Sequence, residues 1–157
     1  MDKVCCFSGH RNIPMHKAKI IFETLQLEIE NLIKQGVDTF ISGGARGFDC
    51  IAACIVVALK DVHPQIKLVF ALPCKDQAKF WKKEDIALYN QLLKKADKII
   101  YTSENYYNGC MHVRNRFMVD NSSYCICYLS QEKGGTAYTV NYAKKSGCKV
   151  INVFKND

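Results

Sequence analysis

The sequence predicts an α/β fold: a single Rossmann-like three-layer domain on a mainly parallel sheet of about six strands. Three observations carry this. Short apolar runs alternate with segments of helical period, with little chain between them. Five of the runs lead into segments that hold most of the glycine and unusual polarity, "SGHRN", "SGGARGFD", "PCKDQ", "TSENYYNG" and "SQEKGGT". At 157 residues and 48% hydrophobic content, the chain suits one buried core over residues 1–157.

The elements follow in order. Residues 3–7 form an apolar run of strand length, and apolar spacings of three and four then predict a helix over 15–34, stopped by Gly36. A second strand spans 38–41, and the glycine-rich stretch after it opens a helix over 47–60. The third strand, 67–72, is closed by Pro73. The amphipathic segment "KDQAKFWKKEDIALYNQLLKKADK" predicts a long helix over 77–95. A fourth strand at 98–102 leads through an irregular stretch to a helix near 112–120. The fifth strand spans 124–129, a helix over 136–146 ends at Gly147, and 149–154 is the last strand.

Composition narrows the setting. No run approaches the roughly 20 apolar residues of a membrane span, and the start "MDKVCCFSG" has too short an apolar run for a secretory signal. A soluble, cytoplasmic protein with no membrane partner is expected. The nine cysteines are odd in number and match no zinc framework, so no metal site is expected. Most lie in apolar runs and read as buried reduced thiols, with Cys74 and Cys110, in predicted loops, the more exposed. The net charge of +7 suits an anionic partner. Many lysines, however, sit among acids on the amphipathic segment, where a solvated helix face explains them.

In a sheet of this kind the turns after the strands share one edge, and ligands bind there where the strand order reverses. In "SGGARGFD", Ser42, Gly43, Gly44 and Gly47 would let a phosphate approach the backbone at a helix N-terminus, unless the glycines merely make a tight turn. No Lys-Ser or Lys-Thr follows Gly47, so this is not a P-loop; nor is it a dinucleotide fingerprint, since Ser42 replaces its first glycine. Asp49 competes with an anion for the same field. It is either a helix-stabilising first-turn carboxylate or an acceptor for a sugar hydroxyl or purine amine. Arg46 would pair with Asp49 or with a phosphate.

"KGGT" repeats the device after the fifth strand, with Gly134, Gly135 and Thr136, the last placed as an N-cap. Together the two turns would hold a phosphate between two helix N-termini. In "RNRFMVD", Arg114 and Arg116 flank Asn115, and one of the two arginines faces the ligand edge; Asp120 closes the segment. "SGHRN" brings Ser8, Gly9, His10 and Arg11 to that edge, His10 as a donor or a general base. Gln77, Trp81 and Tyr89 share a stripe of the long helix, where the two rings pack in the core or stack on a base. Tyr106 and Tyr107 lie in a loop on the ligand edge, with less reason to be core.

"SGHR", "SGGARGFD", "LPCKDQAKFW", "RNRFMVD" and "GGTAYTVNYA", in this order and spacing, resemble the YpsA-like family of the SLOG superfamily, which also includes DprA and the LOG phosphoribohydrolases. The resemblance covers nearly the whole chain and implies a nucleotide or nucleotide-derived ligand over the glycine loops. Carried over residue by residue, it implies a site of Ser8, Gly9, Arg11, Ser42, Gly43, Gly44, Gly47, Asp49, Arg114, Asn115, Asp120, Gly134, Gly135 and Thr136. LOG enzymes look like P-G-G-x-G-T-x-x-E, whereas "KGGTAYTVNYAKKSG" has neither the proline nor an acid. Cleavage would need another carboxylate, with Asp49, Asp120 and Glu104 available.

Three functions follow as expectations. The first is binding or sensing of a nucleotide of the ADP-ribose, NAD or cyclic-derivative class. The second is hydrolysis of a nucleotide's glycosidic or phosphate bond. The third, ranked last because the lysines are scattered, is single-stranded nucleic-acid binding of DprA type. No cofactor beyond the nucleotide is expected, and pairing into a homo-oligomer through helices is open.

Overall fold

In a computed structural model that describes residues 3–155, the apolar runs form six strands. They are β1 (Val4–Gly9), β2 (Thr39–Ser42), β3 (Lys67–Leu72), β4 (Lys98–Tyr101), β5 (Tyr124–Tyr128) and β6 (Lys149–Asn152). Between them run α1 (Ala18–Lys34), α2 (Phe48–Leu59), α3 (Lys83–Lys95), α4 (Cys110–Asp120) and α5 (Gly135–Lys145). The expected single domain over 1–157 reaches at its ends beyond the described residues.

The strands lie in the order β4-β3-β2-β1-β5-β6, and every pairing is parallel, so the sheet is Rossmann-like and parallel throughout. From β1 the chain steps outward to β4, then crosses back to β5 on the other side of β1. A right-handed crossover must change faces when the direction of travel reverses. It does: α1, α2 and α3 pack with Phe7, Phe40 and Phe70 on one face, while α4 and α5 pack with Cys6, Ile41, Cys125 and Cys127 on the other.

Local chemistry sets the element ends. Gly36 (φ 100°) and Gly147 (φ 88°) take the left-handed conformation after α1 and α5 that stops a helix. The long helix begins later than its pattern predicts. Residues 76–81 coil instead into separate turns, Lys79 N–H to Asp76 carbonyl and Trp81 N–H to Ala78 carbonyl, each 3.1 Å. Lys82 is extended at ψ 154°, and α3 starts behind it with Glu84 and Asp85 complementing its N-terminal dipole. Gln77 and Trp81 therefore precede the helix rather than lining its stripe, although Trp81 still packs edge-on against buried Tyr89 at 5.1 Å.

Cys74 and Cys110 correct their expected exposure: both are buried. Cys74 is tucked in directly behind Pro73, and Cys110 is the first residue of α4, facing inward. The half-buried thiol is Cys54, on α2. Among the described residues no helix is long and apolar enough to cross a membrane, and no cluster of three or more His, Cys, Asp or Glu could hold a metal ion.

Candidate functional site

The strand order reverses between β1 and β5, and the turns after these two strands part to form a cavity of about 570 Å³. Its walls are residues 7–12 at and beyond the end of β1, Ser130 and residues 133–136 after β5, the start of α4, and Ala45 with Asp49.

The β5 side is open. Gly134 (φ 103°) is the N-cap of α5 and places no side chain over the helix end. Nothing lies within 4 Å of where a Cβ would stand on Gly134 or Gly135. The first N–H groups of α5 thus face the cavity without a side-chain partner, which is the arrangement that receives an anion. Thr136 was expected as the N-cap; it is the second residue of α5, because Gly134 turns the chain two residues earlier.

The α2 side is closed. The Phe48 N–H donates to the His10 carbonyl (3.2 Å), so the β1 turn itself caps α2. Gly47 (φ 78°) makes that contact possible, since a Cβ there would stand 2.2 Å from the Arg11 carbonyl oxygen. Gly9 plays the same part against the Phe48 ring, at 2.3 Å. The first N–H of α2 is thus taken by the protein's own backbone, while the N-terminus of α5 has no side-chain cap.

Behind Ala45 the second turn is a charged strut. Ser42, fully buried, donates its hydroxyl to the Asp49 carbonyl (3.1 Å) and accepts from Gly44 N–H (3.2 Å). Asp49 Oδ2 accepts from Ala45 N–H at 3.2 Å, while its Oδ1 accepts none of the described hydrogen bonds. Arg114 on α4, only 3% exposed, donates from Nη1 to the Gly43 carbonyl and, at 3.4 Å, to Ala71. Its Nε donates to Asn115 Oδ1 at 2.7 Å, which holds Asn115 at the cavity wall. Gly44 rests on Leu72 and on Gln77, whose amide donates to Gly43, Gly44 and Tyr89. Ser42, Gly43, Gly44 and Gln77 thus brace the turn from behind, and Asp49 and Arg114 are what it presents.

Burial pushes the Asp49 carboxyl up to about 6, against the opposing pull of Arg114, the Ala45 N–H and Arg11. Burial also lowers Arg114, with Asp49 holding it up. One carboxylate between two arginines leaves the floor net positive when ionised. His10 spans the crevice: its Nε2 accepts from Ser130 N–H at 3.0 Å and its ring meets Tyr128 edge-on at 5.5 Å. That bond requires an unprotonated Nε2, and burial lowers the His10 pKa to match. The sequence offered no partner for His10; a backbone N–H 120 residues away has no signature in side chains.

Three predicted residues lie elsewhere. Arg46 turns away from the cavity, over the Trp81 ring at 6.0 Å. Asp120 ends α4, which runs back from the ligand edge, and accepts from the Tyr142 hydroxyl at 2.7 Å. Glu104 is exposed and paired with Lys75 at 2.8 Å. Of the two flanking arginines, Arg114 faces the site, and Arg116 donates to the Tyr138 hydroxyl at 2.9 Å. His112 and Lys133 line the cavity and were not singled out; nothing distinguished them from surface residues in the sequence.

A model of the YspA SLOG family matches residues 5–153. The uncharacterized SPbeta prophage-derived protein YoqJ of Bacillus subtilis is 35% identical over 149 residues, covering 87% of this chain and 85% of that protein. DNA processing protein A from Streptococcus pneumoniae aligns with a TM-score of 0.65 at 18% identity, over 93% of this chain. The Helicobacter pylori protein, whose structure concerns single-stranded DNA binding, aligns at 0.63 and 17% over 94%. This chain spans 48% and 63% of those two chains, and at such identity the likeness is one of fold. With the family model covering nearly its whole length, as the ordered motifs predict, this chain belongs to the YpsA (YspA SLOG) family.

Proposed function

We propose that the protein binds a nucleotide or nucleotide-derived ligand, of the ADP-ribose, NAD or cyclic-derivative class, in the crevice between β1 and β5. One observation carries the reading: the uncapped N-terminus of α5 faces a floor where Asp49 lies between Arg11 and Arg114. Phosphate oxygens accept from the Gly135 and Thr136 N–H groups and pair with Arg11, while Asp49 Oδ1 accepts from a sugar hydroxyl or base amine. Nine free cysteines fit a cytoplasmic setting for such a ligand. The test is thermal unfolding against a nucleotide panel, where a ligand at a hundredfold excess over its Kd adds about 2.7 kcal/mol. If no member of the panel moves the Tm, the reading fails.

A hydrolase is the second reading, favoured by the buried Asp49 carboxyl near 6, in the range for general acid or base work. Of the three candidate carboxylates it is the one on the cavity wall. Chromatography of the same panel after incubation decides it, and turnover that survives Asp49→Asn unchanged removes Asp49 from the reaction. Single-stranded nucleic acid ranks third, supported by exposed Tyr106 and Tyr107. A gel shift that fades steeply with salt would raise it.

A further inference from the structure

Arg114 fixes the two groups that the floor of the crevice offers to a ligand. An arginine Nε only donates, so the Asn115 atom it meets at 2.7 Å is the amide oxygen, and the amide nitrogen turns the other way. That Nδ2 makes none of the described hydrogen bonds, on a half-buried residue that lines the cavity. At the other end of the same guanidinium, Nη1 stands beside Asp49 at Gly43. Asp49 is 6% exposed; its Oδ2 is held by the Ala45 N–H, while Oδ1 has no partner among the described hydrogen bonds and reaches the cavity. One donor and one acceptor are thus set in place by a single planar group.

Such a pair suits two chemical groups, a vicinal diol and the edge of a base. Two observations select the diol. In the nucleotide reading the N-terminus of α5 takes the phosphate, and in every nucleotide the sugar lies between phosphate and base, so groups on the same cavity wall meet the sugar first. A base also needs a flat face to stack on. Phe7 and Tyr128, which line the cavity, are 0 and 2% exposed and offer no such face. Exposed rings stand instead at the rim, where His112 meets Tyr138 edge-on at 4.6 Å. Resting on the nucleotide reading above, we propose that the crevice grips ribonucleotides by the ribose. Asp49 accepts from one hydroxyl of the 2′,3′-diol and Asn115 donates to the other, so that Asn115 sets a preference for ribose over deoxyribose.

Calorimetry of the full chain with ADP, with 2′,3′-dideoxy-ADP and with ribose 5-phosphate tests this. ADP is expected to bind about tenfold or more tightly than its dideoxy form, as the loss of a hydrogen bond to a charged acceptor implies, and ribose 5-phosphate to compete with ADP although it has no base. Asn115→Leu should shrink the ratio of the two nucleotides severalfold while its circular dichroism spectrum holds. A residue that merely supports Arg114 would weaken both nucleotides alike and leave the ratio unchanged. Should that variant not fold, the wild-type comparison alone decides. Equal binding of ADP and dideoxy-ADP by the wild type, no competition by ribose 5-phosphate, or a ratio indifferent to Asn115→Leu would each overturn the ribose assignment, while a nucleotide panel that still moves the Tm leaves the crevice reading standing. A panel that moves nothing overturns both.

Discussion

Asp49 and Arg114 meet at one point of the backbone: Oδ2 and Nη1 stand 2.9 and 2.6 Å from where a Cβ on Gly43 would be. The residue is glycine because two charged side chains already occupy the space beside it. A loop read from sequence as open to phosphate is thus filled by two of the protein's own charged side chains.

Gly43→Ala is therefore expected to push the guanidinium off the Gly43 carbonyl or the carboxylate off Ala45. The cost of such overpacking is about 1–3 kcal/mol. Urea unfolding measures it, and nucleotide affinity should fall with it. A neutral substitution would mean that the strut is slack.

The buried Asp49 carboxyl makes stability depend on pH with a definite sign. Its folded pKa, about 6, lies above the unfolded value near 3.8, so the folded state holds the proton more tightly. This contribution is fully present below about pH 4 and is lost as pH rises through 6, a span of about 3 kcal/mol. Denaturant titrations from pH 4 to 7.5 should show the slope in the wild type and its disappearance in Asp49→Asn.

His10 has the opposite sign. Its folded pKa is lowered, so its contribution is present above the unfolded value of 6.5 and is lost as pH falls through the folded one. The protonated ring can no longer accept from Ser130 N–H. His10→Ala is expected to remain folded, lose affinity for the nucleotide, and flatten the acid side of the binding profile measured by calorimetry.

Two glycine substitutions should separate folding from binding. Gly47→Ala drives a Cβ against the Arg11 carbonyl at a positive φ, and should lose 2 kcal/mol or more, by about the sum of strain and clash. Gly135→Ala meets open space and takes an ordinary helical conformation, so its Tm should hold or rise slightly. Affinity should nonetheless fall, because the methyl group stands where the anion approaches. Comparing melting curves with binding isotherms for the pair checks both.

Most of the fold was legible in the sequence because its central strands are buried apolar runs and α1 and α3 each carry an apolar stripe. Residues 67–72, bounded by a charged loop and Pro73, are the clearest case, predicted and observed alike. Residues 77–82 misled because their apolar spacing is helical while their hydrogen bonds close separate turns, and periodicity cannot see that Lys82 is extended. Cys74 and Cys110 were judged by their loops, although burial is decided by what packs over a residue. The site was legible as an edge and a set of loops. Which glycines admit a ligand and which admit a neighbouring side chain depends on contacts such as Arg114 to Gly43, across 71 residues.

Among the described strands, β1 comes first in sequence and is among the last to be completed. Its neighbour β5 and the Ser130 N–H that meets His10 lie about 120 residues downstream. Closing so long a loop is slow compared with forming β1 and β2 side by side. A chain ending before β5 would therefore carry only the β1 to β4 side of the sheet and no crevice. The crevice exists only in chains that have paired β1 with β5.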